Sequence, residues 1–317
     1  MKKLFIFISA LFVVSSVSAQ VLYKISGNGL TKPSYIMGTY HYADGSYVEK
    51  VKGLEKVFGE VEQFCGELSI EEINNLGVLQ QKRGEELQKM GLDALPDGKT
   101  FKDIFTPEQF AVINAHAKKV LGTNFEEDPE ALKSIGRMMP AQYSNEIQNL
   151  AIYKAINGKN AITFIDVYLL NMGNQLGKSI IGLETAEIQI DALYGKLSET
   201  IDACKDLEKQ KKDLLYVIEH WDEMMAINQN VFNAYMTQDI ACINNILTNR
   251  HNWPYMFPSK SVYKKILTTR DATWTRQMPT IMRDKSTFFF VGVYHLAGKP
   301  GVLNLLRKQG FTIEPVQ

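Results

Sequence analysis

The segments able to form buried strands lie far apart in this chain, and that spacing constrains its fold more than any other feature. Strand-like runs occur at 21–26 ("VLYKIS") and 34–40 ("SYIMGTY"), around a turn at Gly27-Asn28-Gly29. Others follow at 61–69 ("VEQFCGELS"), 160–166 ("NAITFID"), 178–184 ("KSIIGLE"), 286–294 ("STFFFVGVY") and 311–316 ("FTIEPV"). The stretches between them carry helical signals, so any sheet must be assembled from pieces separated by whole helical regions. Thr106-Pro107-Glu108-Gln109 supplies an N-cap, a proline at the first helical position and a capping-box partner, followed by an apolar stripe of Phe110, Ile113, Ala117 and Val120. Gly177 suits the C-terminus of a helix over "VYLLNMGNQLG". The last two strand runs bracket "GVLNLLRKQG" and read as a strand–helix–strand crossover, whose about 17 connecting residues exceed the dozen needed. The expected fold is a single mixed α/β domain with a helical insertion at roughly 70–160 and a helical arm at roughly 186–282.

The first 19 residues stand apart. Two lysines, an apolar run from Leu4 to Val14 and Val17-Ser18-Ala19 have the layout of a secretory signal peptide, with cleavage expected between Ala19 and Gln20. Residues 20–317 then form an exported chain, periplasmic or secreted, and no later segment is apolar enough for a membrane span. Lysine plus arginine balances aspartate plus glutamate at zero net charge, so there is no electrostatic footprint for nucleic acid or an anionic membrane. Three cysteines are too few for a disulfide scaffold. Cys204 and Cys242 could pair in an oxidising compartment, but sequence does not establish the geometry.

Familiar catalytic motifs are missing: no His-Glu-x-x-His, no Cys-x-x-Cys and no Gly-x-Ser-x-Gly. "MGNQLGKS" has Met172 where a phosphate loop needs its first glycine, and it precedes a strand. What remains is a matched pair. Gly38-x-x-His41 and Gly292-x-x-His295 each close a strand-like run, and the chain has only five histidines. Strand carboxyl ends are where open α/β sheets collect ligands, so the two imidazoles could meet in space. Glu67 and Glu184 close two further strand-like runs, where partial burial can tune a carboxylate for metal ligation or general-base work. Asp166 ends another, but helix capping suits it better, as it does Thr185. Arg270 is an anomaly of a different kind. It shares a helical face with Tyr263, Leu267, Trp274 and Met278, and a guanidinium in an apolar stripe is costly unless paired. It is expected to point toward Glu67 or Glu184, whereas Arg276 lies off the stripe. His116, His220 and His251 carry weaker signals and read as structural or exposed.

Gly38-Thr39-Tyr40-His41, Glu67, "GKSIIGLETAEIQ" at 177–189, Arg270 and "FVGVYHLAGKPGVLNLLRKQGFTIEPV" at 290–316 together resemble the TraB/PrgY/GumN family, which includes the animal Tiki proteins. The resemblance spans nearly the whole chain after residue 19. It implies a mixed α/β fold built from two related halves, each with a Gly-x-x-His, and, by analogy with Tiki members, a metal-dependent peptidase acting on a peptide or protein. By position, His41, His295 and Glu67 would hold a divalent ion (zinc, manganese or cobalt), with Glu67, Glu184 and Arg270 as catalytic residues. A non-ligating glutamate would move the proton, and Arg270 would stabilise negative charge or hold a carboxylate. Two departures stand out: Tyr294 replaces a glycine usual before the second histidine, and Asp271 stands where asparagine is usual. The same cleft would also suit a non-catalytic secreted protein binding a peptide, haem or a metal, or an esterase-like hydrolase.

Overall fold

The computed structural model describes residues 20–158, 160–257 and 259–316. The expected signal peptide, 1–19, lies outside the described residues. Six strands form one sheet: β1 (Leu22–Gly27), β2 (Ser34–Thr39), β3 (Gln63–Gly66), β4 (Ser179–Gly182), β5 (Thr287–Gly292) and β6 (Phe311–Pro315), in the order β4-β3-β5-β2-β1-β6. β1 runs antiparallel to both of its neighbours, and the β2–β5, β3–β5 and β3–β4 pairs are parallel. The β1–β2 turn closes at Gly27-Asn28-Gly29, all three with positive φ, a conformation glycine adopts without steric cost. β5 and β6 point the same way with two strands between them, so the expected crossover is present.

The parallel strands carry no charged residues, because helices cover both faces. Along β5, Phe288 and Phe290 pack with Met37, Phe64 and Leu169 on one face, and Phe289 and Val291 pack with Ile36, Trp274 and Met278 on the other. The helix Ile165–Gln175 covers the first face, and Thr269–Asp284 the second. A third cluster, including Phe101, Phe125, Tyr143 and Trp221, joins the helices between β3 and β4 to those after β4. The Thr106 capping box forms as expected, with reciprocal bonds of 3.3 and 3.1 Å to Gln109.

One sequence expectation is corrected, and another finds no support. "NAITFID" is not a strand: it makes a single antiparallel bridge, Phe164 with Asp44, in which Gly45 N–H donates to the Thr163 carbonyl and Ile165 N–H to the Ala43 carbonyl, and the helix begins at Ile165. Its apolar residues are a helix entry, with Ile165 buried, and short apolar runs do not distinguish the two. The division into two related halves finds no support among the described elements. The first and last strands share one sheet and lie side by side as β1–β6, and the two Gly-x-x-His segments differ locally. His41 follows β2 in a loop, whereas His295 sits in the short helix Val293–Leu296. All three cysteines are free thiols. Among the described residues, no helix is long and apolar enough to cross a membrane.

Candidate functional site

β2, β3, β4 and β5 all end at the same edge of the sheet, and the residues just beyond them converge there. The parallel register sets Thr39 of β2 opposite Gly292 of β5, so the two Gly-x-x-His segments leave the sheet side by side. Each glycine makes room for the other segment. A Cβ on Gly292 would stand 2.7 Å from His41 Nε2, and one on Gly38 would stand 2.9 Å from both Val293 and Leu296 side chains. That reciprocal packing explains why glycine precedes each histidine by three residues.

Glu67 is the hub. Its Oε1 accepts the Gly292 N–H at 2.7 Å and lies 3.8 Å from His41 Nε2 and 3.8 Å from His295 Nε2. The two imidazole nitrogens are therefore at most twice that distance apart. Glu67 Oε2 accepts from Arg270 Nη2 at 2.5 Å and Gln189 Nε2 at 3.1 Å. Burial opposes ionisation of Glu67, but Arg270, His41 and the Gly292 N–H outweigh it and hold the carboxyl well below its usual range.

Arg270 meets both expected carboxylates. Nη2 and Nε bond Glu184 Oε1 at 2.7 and 3.0 Å, and Nη1 donates to the Ile266 carbonyl at 3.0 Å. That carbonyl belongs to a π-helical turn, Lys264–Thr268, leading into the helix that carries Arg270. The guanidinium also lies 4.6 Å over the Trp274 ring. Glu184 Oε2 takes the Trp274 indole N–H at 3.1 Å, so both of its oxygens are engaged. Glu184 is absent from the cleft lining and positions Arg270; nothing in its geometry presents it as a proton carrier. Arg276 is exposed and bonds only Thr273.

Each histidine is anchored from behind by an aspartate. His41 Nδ1 lies 2.8 Å from Asp166 Oδ2, whose other oxygen accepts from the Thr39 hydroxyl at 2.8 Å. Desolvation opposes protonation of His41, but Asp166 beside Nδ1 and Glu67 facing Nε2 outweigh it and push the imidazole up to about 9. His295 Nδ1 lies 2.6 Å from Asp271 Oδ1, and its Nε2 lies 3.1 Å from Arg270 Nη1. An arginine can only donate, so His295 Nε2 accepts and the ring proton sits on Nδ1. Asp166 does not cap its helix. It occupies the first turn, after the cap residue Phe164, and turns to His41 instead. Thr185 does cap, accepting from Ile188. Sequence reasoning missed Asp166, Asp271 and Gln189 as site members; Asp271 was visible only as a departure from the expected pattern.

The groups at Glu67 open into a cleft of about 380 Å³ that includes His41, Arg270, Tyr294 and His295. Two imidazoles facing one ionised carboxylate oxygen, each with Nδ1 backed by a carboxylate, have the second-sphere support found around metal-ligating histidines. Separations of 3.8 Å can be spanned by two bonds of about 2.0–2.2 Å to one ion, so His41, His295 and Glu67 could hold a divalent cation. Arg270 would have to release its contact with His295 Nε2 for that. Among the described residues, no group of three or more histidine, cysteine, aspartate or glutamate side chains stands ready-formed as a ligand cluster.

Compared with known protein families, residues 21–315 match the TraB/PrgY/gumN family. The chain belongs to that family. No curated protein and no solved structure matches it. For this TraB/PrgY/gumN member the family match covers all six strands and every residue of the Glu67 site.

Proposed function

We propose that this family member is an exported, metal-dependent hydrolase that cleaves an amide bond in a peptide or protein. The observation that carries the reading is the convergence of two aspartate-backed imidazoles on Glu67 Oε1 in the lining of a cleft. His41, His295 and Glu67 would hold the ion. The chemistry such an ion supplies when bound is Lewis acidity, which polarises a carbonyl and strengthens water as a nucleophile near neutral pH. Asp166 and Asp271 hold the rings so that Nε2, not Nδ1, faces the cleft. Arg270, Gln189 and the Gly292 N–H keep Glu67 a carboxylate, and Arg270 Nη1 is the donor closest to hand for negative charge developing on the substrate. Glu184 and Trp274 fix the other edge of that guanidinium.

The test is cleavage of a peptide library by purified residues 20–317, with and without added zinc, manganese or cobalt, together with calorimetric titration of each ion. Ion-dependent cleavage that His41→Ala and His295→Ala abolish is the expected result. Absence of both ion binding and cleavage would defeat the proposal. One observation favours a second reading, a peptide-binding protein without catalysis: Arg270 already occupies His295 Nε2. Peptide binding with no cleavage under any ion would select it.

A further inference from the structure

The Glu67 site does not sit at the blind end of a cavity. A second chamber, of about 150 Å³, adjoins the 380 Å³ cleft, and His41, Glu67 and Gln189 line both. The reacting groups therefore form a partition with space on either side. Beyond the partition, the smaller chamber is walled by Leu68, Ile73, Leu76, Leu170 and Phe290, with Asp166 behind His41. Its size matches an apolar cavity of about 150 Å³ that accepts a benzene-sized group. The larger chamber is walled by Tyr40, Tyr42, Tyr294, Leu193, Ile266 and Val293. The Tyr40 hydroxyl is buried there with no hydrogen-bond partner, and burial beside the phenols of Tyr294 and Tyr42 keeps it protonated.

Charge distinguishes a chain's interior from its end. A terminal amine or carboxylate entering either chamber would need an opposite charge to replace its water. Apart from the partition, the ionised groups lining the chambers are already engaged: Asp166 with Thr39 and His41, Arg270 with Glu67 and Glu184. We infer that the two chambers are subsites flanking an internal bond of an extended, uncharged stretch of peptide. The small chamber takes an aliphatic side chain on one side of that bond. The large one takes an aromatic or long apolar side chain on the other, preferentially one with an acceptor for the Tyr40 hydroxyl. This rests on the hydrolase reading for the bond being cut, but the subsites themselves do not.

Two measurements separate the ideas. The first is kcat/KM, with divalent ion, for peptides capped at both ends and carrying leucine and tyrosine across the central bond, against glycine at either position and against free-terminus counterparts. The second is calorimetric binding of the same capped peptides with the ion removed by chelator. The expected preference is about 10- to 150-fold per apolar side chain, the factor by which burying one whole side chain of this kind shifts an equilibrium. Leu76→Trp, which fills the small chamber from a half-buried helix position, should erase the leucine preference and keep the tyrosine preference. The same pattern in binding without cleavage would support the subsites while defeating the hydrolase. Cleavage without side-chain preference, or only of free-ended peptides, would overturn the subsites and leave the hydrolase standing. Neither binding nor cleavage would overturn both.

Discussion

Removing the Arg270 guanidinium should unmask the cost of two carboxylates buried at one point. Its side chain is only 5% exposed and bonds Glu67, which is 9% exposed, and Glu184, which is 2% exposed. Breaking one buried pair from the cationic side costs about 3–5 kcal/mol, because an uncompensated charge is left behind. Arg270→Met keeps much of the apolar stem, so we expect a loss near 4 kcal/mol at about pH 7, which for a chain of this size corresponds to a fall in Tm of roughly 6 °C. The pH dependence gives the sharper test. Glu67 is held below its usual range in the native protein, so its contribution is fully present above the ordinary carboxylate value and is lost as pH falls through the depressed one. In Arg270→Met that depression disappears and burial favours the neutral acid. The stability gap between wild type and variant should therefore shrink as pH falls from about 7 to about 4, where carboxyls without a cation take up protons. Arg270→Lys keeps the charge without the planar fork that serves both glutamates, and should lose roughly half as much stability while impairing function nearly as far. Urea denaturation at several pH values measures each difference. A gap under about 1 kcal/mol, or one that does not change with pH, would refute the idea that Arg270 neutralises this pair. Arg276→Lys, exposed on the same helix, is the control and should fall within about 0.5 kcal/mol of wild type.

His41 should titrate near 9 by NMR, and Asp166→Asn should move it back toward its ordinary value of about 6.5. Because the folded value is raised, the stabilisation from this pair is complete below the ordinary value and fades as pH rises through about 9. Divalent-ion binding at neutral pH should then release a proton, and calorimetry in buffers of different ionisation enthalpy that detects none would count against His41 as a ligand. Asp271→Asn retains an acceptor for His295 Nδ1 and should change zinc affinity little, whereas Asp271→Leu should weaken it about 10- to 100-fold; equal effects would mean that charge, not ring orientation, matters. Gly292→Ala places a Cβ 2.7 Å from His41 Nε2 and should displace that ring, at about 1–3 kcal/mol, visible as a shifted His41 resonance; an unmoved ring would contradict the reciprocal packing.

Several decisive features are local, and local features are written in the sequence. Runs such as "STFFFVG" are apolar on both faces because the strand they form is covered on both, and His41, Glu67, Glu184 and His295 stand just past such runs. Arg270 betrayed its pairing because a charge that cannot be shed interrupts an apolar stripe, whatever its partners are. Asp166 shows the opposite case. An aspartate entering a helix has the same local chemistry whether it caps that helix or reaches an imidazole 125 positions away, and only the docking of Ile165–Gln175 against β3 and β4 decides between them. Gln189 escaped notice, and Asp271 was visible only as a departure from the family's usual residue, for the same reason: neither breaks a local pattern. The glycines before the histidines were visible, but their purpose was not. It depends on the parallel register that sets Thr39 beside Gly292, a pairing of segments some 250 residues apart for which neither segment alone carries a signal.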